Sequence, residues 1–208
     1  MRWIQELARR RGYELVPIDR AAREQMQGSK RSYRELVISQ ALVLEIGEIS
    51  LQESRFLARL VRELDVPGPI VEIGTLFGWS TKIMLCAKAA ERELISVDDY
   101  SWNPLGLAPD VHHQITSRIL ADGKELGLRQ LRIDKADFYS SWSGPPPALV
   151  FADAMHTYED TKADIAWARG AGAHVVCGHD YEAEWPGVVR AVDECGGPRE
   201  LVETLWVL

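Results

Sequence analysis

The sequence predicts an α/β protein built on a doubly wound, mostly parallel sheet. From residue 70 onwards, short apolar segments typical of buried strands alternate with longer segments of helical periodicity. Strands separated by helices imply right-handed crossovers and a parallel sheet covered on both faces. Pro67-Gly68-Pro69 separates this region from an N-terminal part with helical patterns only. We therefore predict an N-terminal helical cap over 1–66 and an α/β domain over 67–208.

The individual elements follow from local patterns. In the N-terminal part, Ser32 with Glu35 and Ser50 with Glu53 have the capping-box form that begins a helix. The predicted strands cover 70–73, 94–97, 130–133, 148–152, 174–177 and 201–208. The predicted helices between them cover 80–90, 112–126, 158–169 and 187–194.

Composition narrows the functional class. The chain has 208 residues, 46% of them hydrophobic and 26% charged, and a net charge of −7. An acidic chain whose one basic run, Arg9-Arg10-Arg11, is placed to complement the dipole at the end of a predicted helix argues against a nucleic-acid or anionic-membrane partner. The three cysteines are far apart, and no apolar run could serve as a signal core or membrane span. We expect a soluble, cytoplasmic protein with a small-molecule ligand.

The loop after the first predicted strand suits a ligand. Gly74 and Gly78 allow a tight bend where backbone approaches a ligand, but their spacing is G-x-x-x-G and lacks the dinucleotide pattern G-x-G-x-x-G. Glu72 beside the loop would repel a pyrophosphate and attract an ammonium group. The same residues also fit a simple turn with two glycines and a surface glutamate.

Acidic residues follow the next two strands. Asp98, at the end of the second strand, is placed to accept hydrogen bonds from ribose hydroxyls, which nicotinamide and adenosyl cofactors share. After the third strand, Asp137 could hold an adenine amino group while the ring of Phe138 stacks on the base. Asp137 fits an ordinary turn nearly as well.

Two acid–imidazole pairs follow the fourth and fifth strands. Asp153 and His156 follow one strand, and His179 and Asp180 follow the other. Because neighbouring parallel strands end at the same edge of a sheet, we expect all four side chains at one rim. We expect helix-start chemistry from Thr157 with Asp160, and a surface position for His112 and His113.

Taken together, these segments resemble the class I S-adenosylmethionine-dependent methyltransferases, with a Rossmann-like sheet. The stretches FADAMHTYEDTKADIAWA, VVCGHDY and PGVVRAVDE are similar to the branch of bacterial antibiotic and sugar O-methyltransferases (macrocin- and novobiocin-type), and more distantly to catechol O-methyltransferase. Ala154-Met155 stands where that branch has Gly-Asp. The resemblance implies S-adenosylmethionine as cofactor, contacted by Glu72, Gly74, Thr75, Gly78, Ser80, Asp98, Asp137, Phe138 and Asp153.

The resemblance to metal-dependent relatives also implies a metal site and a base. By position, Asp153, His179 and Asp180 would bind Mg²⁺ or another divalent cation, and a histidine is an unusual ligand for magnesium. His156 is the first choice for the base that deprotonates the acceptor, and His179 the second. The predicted reaction is methylation of a small-molecule hydroxyl, in a sugar or a phenol of secondary metabolism.

Other interpretations stay open at this stage. A metal-independent enzyme acting on an amine or carboxylate, or an inactive cofactor-binding protein on the same fold, would carry many of the same residues. The loop 100–110, with Trp102, Pro104 and Leu107, could form an apolar lid over the acceptor. The N-terminal helices offer surface for a homodimer.

Overall fold

A computed structural model describes residues 49–208, all within one compact unit. The predicted helical cap up to residue 48, the capping box at Ser32 and the proposed dimer surface lie outside the described residues. The helices are α1 Leu51–Arg62, α2 Trp79–Ala87, α3 Pro109–Ile119, a 3-10 helix Ala121–Leu126, α4 Lys135–Ser141, α5 Tyr158–Gly170 and α6 Pro186–Glu194. The strands are β1 Ile70–Ile73, β2 Leu94–Asp98, β3 Leu128–Arg132, β4 Leu149–Ala152, β5 Val175–Gly178, β6 Glu200–Val202 and β7 Leu205–Val207.

The sheet has seven strands in the order β3-β2-β1-β4-β5-β7-β6. The first five strands run parallel, and β7 pairs antiparallel with both β5 and β6. The chain order reverses between β1 and β4, so their carboxyl ends border the crevice in which doubly wound sheets bind ligands. The predicted fold class is confirmed.

Alternate residues of the strands face two hydrophobic layers. On one face, Ile70, Leu94, Leu149 and Phe151 pack against apolar residues of α1 and α2. On the other face, the strand residues pack against α4, α5 and α6, with members Val71, Ile95, Val150, Trp206, Phe138, Ile165 and Val188. Burial on both faces explains why the strands are continuous apolar runs.

Local signals placed most element boundaries. Ser50 caps α1 with the full capping box, because its hydroxyl accepts from the Glu53 N–H and Glu53 accepts from the Ser50 N–H. Thr157 caps α5 by accepting from the Asp160 N–H at 3.1 Å, as its pattern predicts. No helix in the described range is long and apolar enough to cross a bilayer. The domain boundary after residue 66 and the cytoplasmic location stay predictions.

Three predicted elements differ from the structure. The last strand over 201–208 is a hairpin of β6 and β7, with Glu203 at φ 52° in its turn. The helix predicted over 112–126 is split into α3 and a 3-10 helix. The segment after β3, where no helix was predicted and Asp137 was considered as a turn residue, forms the short helix α4.

Candidate active site

A cavity of about 200 Å³ opens at the carboxyl ends of β1, β2 and β4. It lies at the edge of the sheet where the sequence predicts a ligand. Its lining comprises Ile73, Gly74, Thr75, Leu76, Phe77, Trp79, Ser80, Val97, Asp98, Asp99, Ser101, Trp102, Ile133, Asp134, Lys135, Asp153, Ala154, Met155, His156 and Asp160. Of the predicted cofactor residues, Gly74, Thr75, Ser80, Asp98 and Asp153 meet in this wall.

The loop between β1 and α2 requires both of its glycines. Gly74 has φ 97°, and a Cβ there would lie 1.9 Å from the backbone oxygen of Asp153. Gly78 has φ 84° and begins α2, although it does not line the cavity itself. Glycine adopts both conformations without strain, and at position 74 it allows the loop after β1 to approach the loop after β4 closely, whereas a Cβ at position 78 would meet the side chain of Leu120. The glycines therefore shape the cavity floor.

Asp98 fixes the same loop from the end of β2. Its Oδ2 accepts from the N–H groups of Thr75 and Leu76, both at 2.9 Å, and its Oδ1 accepts from the Tyr100 N–H at 2.6 Å. Asp99, the next residue, also lines the cavity. Two carboxyl groups, both already accepting hydrogen bonds from backbone N–H groups, thus lie on the side of the cavity that is predicted to bind ribose.

Glu72 lies behind the cavity wall. The residue is fully buried, and its carboxyl oxygens accept from the hydroxyls of Ser80 and Thr81, each at 2.5 Å. Burial raises the pKa of Glu72 to about 7, against the opposing effect of those two hydroxyls. Glu72 does not line the cavity, so the direct contact with a ligand that the sequence suggests is absent from this arrangement.

Helix α4 changes the predicted adenine contacts. Asp134 caps this helix by accepting from the Ala136 N–H at 2.7 Å, which places Asp137 in the exposed first turn. Phe138 is 3% exposed and packs against Trp142 and other rings in the core. Neither Asp137 nor Phe138 lines the cavity, which instead meets Ile133, Asp134 and Lys135. Helix α4 thus leaves Asp137 exposed and Phe138 in the core, and their contacts with adenine stay a prediction.

The four acid and imidazole residues do converge. Nε2 of His156 lies 2.9 Å from Asp180 Oδ2 and 3.9 Å from Asp153 Oδ1. Asp180 has φ 62°, a left-handed conformation that is uncommon outside glycine and is concentrated at functional sites. Its pKa is lowered because hydrogen bonds from His156 and His179 outweigh the effect of burial. The carboxylate of Asp180 therefore links the two imidazoles.

His179 does not line the cavity, although its Nδ1 lies 4.0 Å from Oδ1 of the lining residue Asp153. Its Nε2 contacts Glu53 Oε1 at 3.2 Å and the Thr204 hydroxyl at 2.9 Å, while its Nδ1 contacts Asp180 Oδ1 at 3.3 Å. Burial disfavours the imidazolium, but the hydrogen bonds with Asp180 and Glu53 raise the pKa of His179 to about 11. Both ring nitrogens of His179 thus contact side chains of the protein, and its role as a base stays a prediction.

A second set of potential metal ligands overlaps with the predicted one. Within the described part of the chain, Asp153, His156 and Asp180 each offer a ligand atom, and these atoms lie within 4.8 Å of one another. Nδ1 of His179 also lies within 4.0 Å of both carboxylates, so metal binding by Asp153, His179 and Asp180 stays a prediction. The sequence could not show that Glu53, far away in the chain, engages the other nitrogen of His179.

His112 is buried, which corrects its predicted surface position. Its Nε2 lies 2.9 Å from the carbonyl oxygen of Leu76, and the Thr116 hydroxyl donates to the same oxygen at 2.7 Å. Leu76 has φ 47°, so its carbonyl points out of regular structure and requires donors. His112 thus supports the cavity loop from behind, while His113 is half-buried beside Tyr100.

The loop 100–110 borders the cavity as predicted for a lid. Trp102 lines the cavity although it is 55% exposed. Leu107 packs against Phe77 and Trp79, and Asn103 ties the loop together by donating to the Leu107 carbonyl at 2.9 Å. An exposed aromatic side chain therefore stands at the mouth of the cavity on an ordered loop.

Several cavity residues escaped the sequence interpretation. Asp134 could have been found, since Asp134 with Asp137 has the form of a helix cap. Trp79 and Met155 carry no local signal, because an apolar residue in a loop fits the core equally well. Lys135 forms ion pairs with Asp160 and with buried Asp164, at 3.0 and 2.8 Å, that only the tertiary structure reveals.

Comparisons with known proteins agree with this fold. Residues 71–181 match the family described as methyltransferase domain. Solved structures that resemble the chain include cofactor-bound Rv0187 from MTB, which is 19% identical, with 87% of each chain covered and a TM-score of 0.58. The O-methyltransferase from Bacillus cereus in complex with S-adenosylhomocysteine is 18% identical, with 93% of this chain and 90% of that chain covered and a TM-score of 0.57.

A third similar structure is the O-methyltransferase TomG from Streptomyces achromogenes, solved with S-adenosylmethionine. It is 17% identical, with 88% of this chain and 80% of that chain covered and a TM-score of 0.56. A search of curated proteins found no match to the chain.

The sheet order and the position of the cavity define a Rossmann-like fold of the class I methyltransferase type. Because the family match spans more than half of the residues, the chain belongs to the methyltransferase-domain family. The resemblance to the macrocin- and novobiocin-type branch stays a prediction.

Proposed function

We propose that the protein transfers the methyl group of S-adenosylmethionine to a hydroxyl group of a small molecule. The observation that carries the proposal is one cavity that joins the glycine loop after β1, the acid after β2 and the pair Asp153 and His156. A nucleoside and a reacting hydroxyl can therefore occupy adjoining parts of the same space. Structural relatives solved with S-adenosylmethionine or S-adenosylhomocysteine support the choice of cofactor.

We infer one orientation for the cofactor from the positions of the lining residues. The ribose would lie near Asp98 and Asp99, the adenine near Ile133 and Asp134, and the methionyl part against the Gly74 loop. This orientation directs the sulfonium methyl group towards the loop after β4, where His156 lies.

Methyl transfer requires alignment and removal of one proton. The acceptor oxygen forms a bond to the methyl carbon while the carbon–sulfur bond breaks. The electron pair of the carbon–sulfur bond stays on sulfur, which gives S-adenosylhomocysteine. In the proposed reaction Nδ1 of His156 takes the hydroxyl proton, because Nε2–H donates to the carboxylate of Asp180. Asp180, 2.9 Å from its Nε2, orients the ring and stabilises the imidazolium that forms.

As a second mechanism, the acidic and imidazole side chains at this site would bind a divalent ion. Asp153, His156 and Asp180 would hold it, and two carboxylates with one imidazole suit Mn²⁺, Fe²⁺ or Zn²⁺ better than Mg²⁺. When bound, such an ion would lower the pKa of the acceptor hydroxyl. If Nε2 of His156 bound the ion, the proton of the neutral ring would be on Nδ1 and the ring could not act as a base, so the two mechanisms exclude each other.

Metal dependence can be measured without activity. Thermal melts with Mn²⁺, Zn²⁺ or Mg²⁺, against a metal-free sample in EDTA, would show stabilisation that Asp153→Asn removes if the ion binds. Asp110→Asn, at an exposed surface ion pair, is the matched control. Identical melts in all samples would contradict the metal site and leave His156 as the base.

The cavity wall favours an aromatic acceptor over a sugar. Trp102 and Met155 line the cavity with 55% and 49% of their surfaces exposed, and Leu76 and Phe77 add further apolar surface. Such surface binds a flat aromatic ring better than a polyhydroxylated one. We therefore propose a phenolic hydroxyl as the acceptor.

A methyl-transfer assay tests the proposed function. Purified protein is incubated with radiolabelled S-adenosylmethionine and matched panels of phenols, sugars, amines and carboxylic acids. Label transferred to phenols in the wild type, and lost in His156→Gln, is the expected result. Cofactor binding without transfer to any class would contradict the enzymatic proposal. Transfer only to amines or acids would contradict the proposed acceptor.

A further inference from the structure

Trp79 contains a buried hydrogen-bond donor without a partner in the described part of the chain. Trp79 is one of the residues that line the cavity, it is 8% exposed, and its Nε1 has no hydrogen-bond partner among the described residues. Buried polar groups in folded proteins are nearly always paired, so an exception in a cavity wall points to a ligand atom. The ligand atom must be an acceptor, because the indole N–H can only donate.

The same wall contains the start of helix α2. Trp79 is the first residue of this nine-residue helix, which has no side-chain cap and no acidic residue in its first turn. The first N–H groups of a helix have no acceptor within the helix, and the helix dipole makes this end electropositive. Ser80, the next residue, also lines the cavity. An uncapped helix start beside an unpaired donor suits an anionic oxygen.

Glu72 and Lys82 do not supply the acceptor for the Trp79 N–H. The carboxyl group of Glu72 is occupied by the hydroxyls of Ser80 and Thr81, and burial raises its pKa. Lys82, whose Nζ lies 5.6 Å from the centre of the Trp79 ring, adds positive charge on this side.

We infer that Trp79 Nε1–H donates a hydrogen bond to the carboxylate of the amino-acid part of S-adenosylmethionine, at the start of helix α2. The inference rests on the proposed function, because it takes the cofactor as given. It assigns to Trp79 the discrimination between the complete cofactor and a nucleoside without the carboxylate. The apolar part of the ring keeps its packing against Phe77 and Leu107.

The test compares two ligands and two variants by titration calorimetry. S-Adenosylhomocysteine and its decarboxylated analogue, 5′-(3-aminopropylthio)adenosine, differ only in the carboxylate. Trp79→Phe removes the N–H and keeps an aromatic ring, while Trp167→Phe makes the same change at a ring that stacks on Tyr139 outside the cavity lining. Trp79→Phe should weaken binding of S-adenosylhomocysteine about tenfold or more, as expected for a hydrogen bond to a charged group. It should change the affinity for the analogue less than about twofold, within the spread of a near-neutral substitution.

Three results would overturn the inference. Unchanged binding of S-adenosylhomocysteine by Trp79→Phe contradicts it, and so does an equal loss for both ligands. If the wild type binds neither ligand, the proposed function fails as well, which separates the two failures.

A second measurement does not depend on the stability of a variant. The chain has seven tryptophans, so its indole N–H signals can be followed individually by nuclear magnetic resonance of the wild-type protein. S-Adenosylhomocysteine should shift one indole signal downfield, and the decarboxylated analogue should not. The absence of that signal from the spectrum of Trp79→Phe assigns it. Equal shifts with both ligands, or none, would contradict the inference.

Discussion

Replacing Glu53 by glutamine would remove the charge that faces His179 behind the active site. The Glu53 carboxylate is 3% exposed and accepts from the N–H of Ser50, from the N–H and hydroxyl of Thr204 and from the His179 ring, at 2.8 to 3.2 Å. The amide keeps the shape and one acceptor oxygen. It leaves the buried imidazolium with less compensating charge, so the folded state should lose stability.

The size of the expected stability loss follows from the pKa shift of the Glu53 carboxyl group. Burial would raise the pKa of Glu53, but the hydrogen bonds from His179 and from the Ser50 N–H lower it from 4.5 to about 2. At about 1.4 kcal/mol for each pKa unit, this shift corresponds to about 3 kcal/mol. The pKa shift of His179 is larger because Asp180 and Asp153 also act on its ring. The pKa shift of Glu53 therefore describes the interaction between Glu53 and His179 better. Glu53→Gln should therefore lower the free energy of unfolding by about 2 to 3 kcal/mol and the Tm by about 5 to 10 °C.

The pair also gives stability a defined pH dependence. The pKa of Glu53 is lower in the folded state, so its contribution is present above pH 4.5 and is lost as the pH falls towards 2. The pKa of His179 is higher in the folded state, so its contribution is complete below pH 6.5 and is lost as the pH rises towards 11. The wild type should therefore be more stable at pH 6 than at pH 9, and Glu53→Gln should show a smaller difference.

Urea unfolding at pH 6 and pH 9 measures both effects. Glu200→Gln is the matched control, because it removes an ion pair of Arg59 in which both side chains are more than a third exposed. That control should change the free energy of unfolding by less than about 1 kcal/mol. Equal stability of Glu53→Gln and the wild type, or no change in wild-type stability between the two pH values, would refute the reasoning.

Three further predictions concern the active site. Gly74→Ala should prevent stable folding, since its Cβ would lie 1.9 Å from a backbone oxygen. The control Gly170→Ala, with no atom within 4 Å of a Cβ, should melt like the wild type. Similar melting curves for Gly74→Ala and the wild type would contradict this prediction. Trp102→Ala should raise the KM for an aromatic acceptor about tenfold and leave the Kd of S-adenosylhomocysteine unchanged. The control is Leu105→Ala, because Leu105 is 65% exposed in the same loop but does not line the cavity. An unchanged KM would argue against the stacking role. His156→Gln should lower kcat by about 10²- to 10⁴-fold without affecting cofactor binding, and full activity would exclude His156 as the base.

The sequence predicted the features that depend on local patterns. Alternation of apolar strands with helices predicted the sheet, and the glycines at 74 and 78 predicted the loop at its carboxyl edge. Three site residues were predicted because they lie at the end of a strand or in the turn that follows it: Asp98, Asp153 and His156. The position of a residue at a strand end is thus readable from sequence when the strand is an uninterrupted apolar run.

Features that depend on tertiary contacts could not be predicted in the same way. Asp137 and Phe138 follow β3 as expected, but the helix that begins at Lys135 leaves Asp137 exposed and Phe138 in the core. His179 directly follows β5, yet Glu53, 126 positions earlier in the chain, engages its Nε2. Such pairings join distant segments, and no local pattern records them.

Titration calorimetry of the wild-type protein with S-adenosylhomocysteine tests the cofactor assignment most directly. The cavity beside Gly74 and Asp98 should bind one molecule per chain, and NAD should neither bind nor displace it. Absence of binding heat with S-adenosylhomocysteine at several temperatures, or displacement of bound ligand by NAD, would contradict the assignment of this cavity to S-adenosylmethionine.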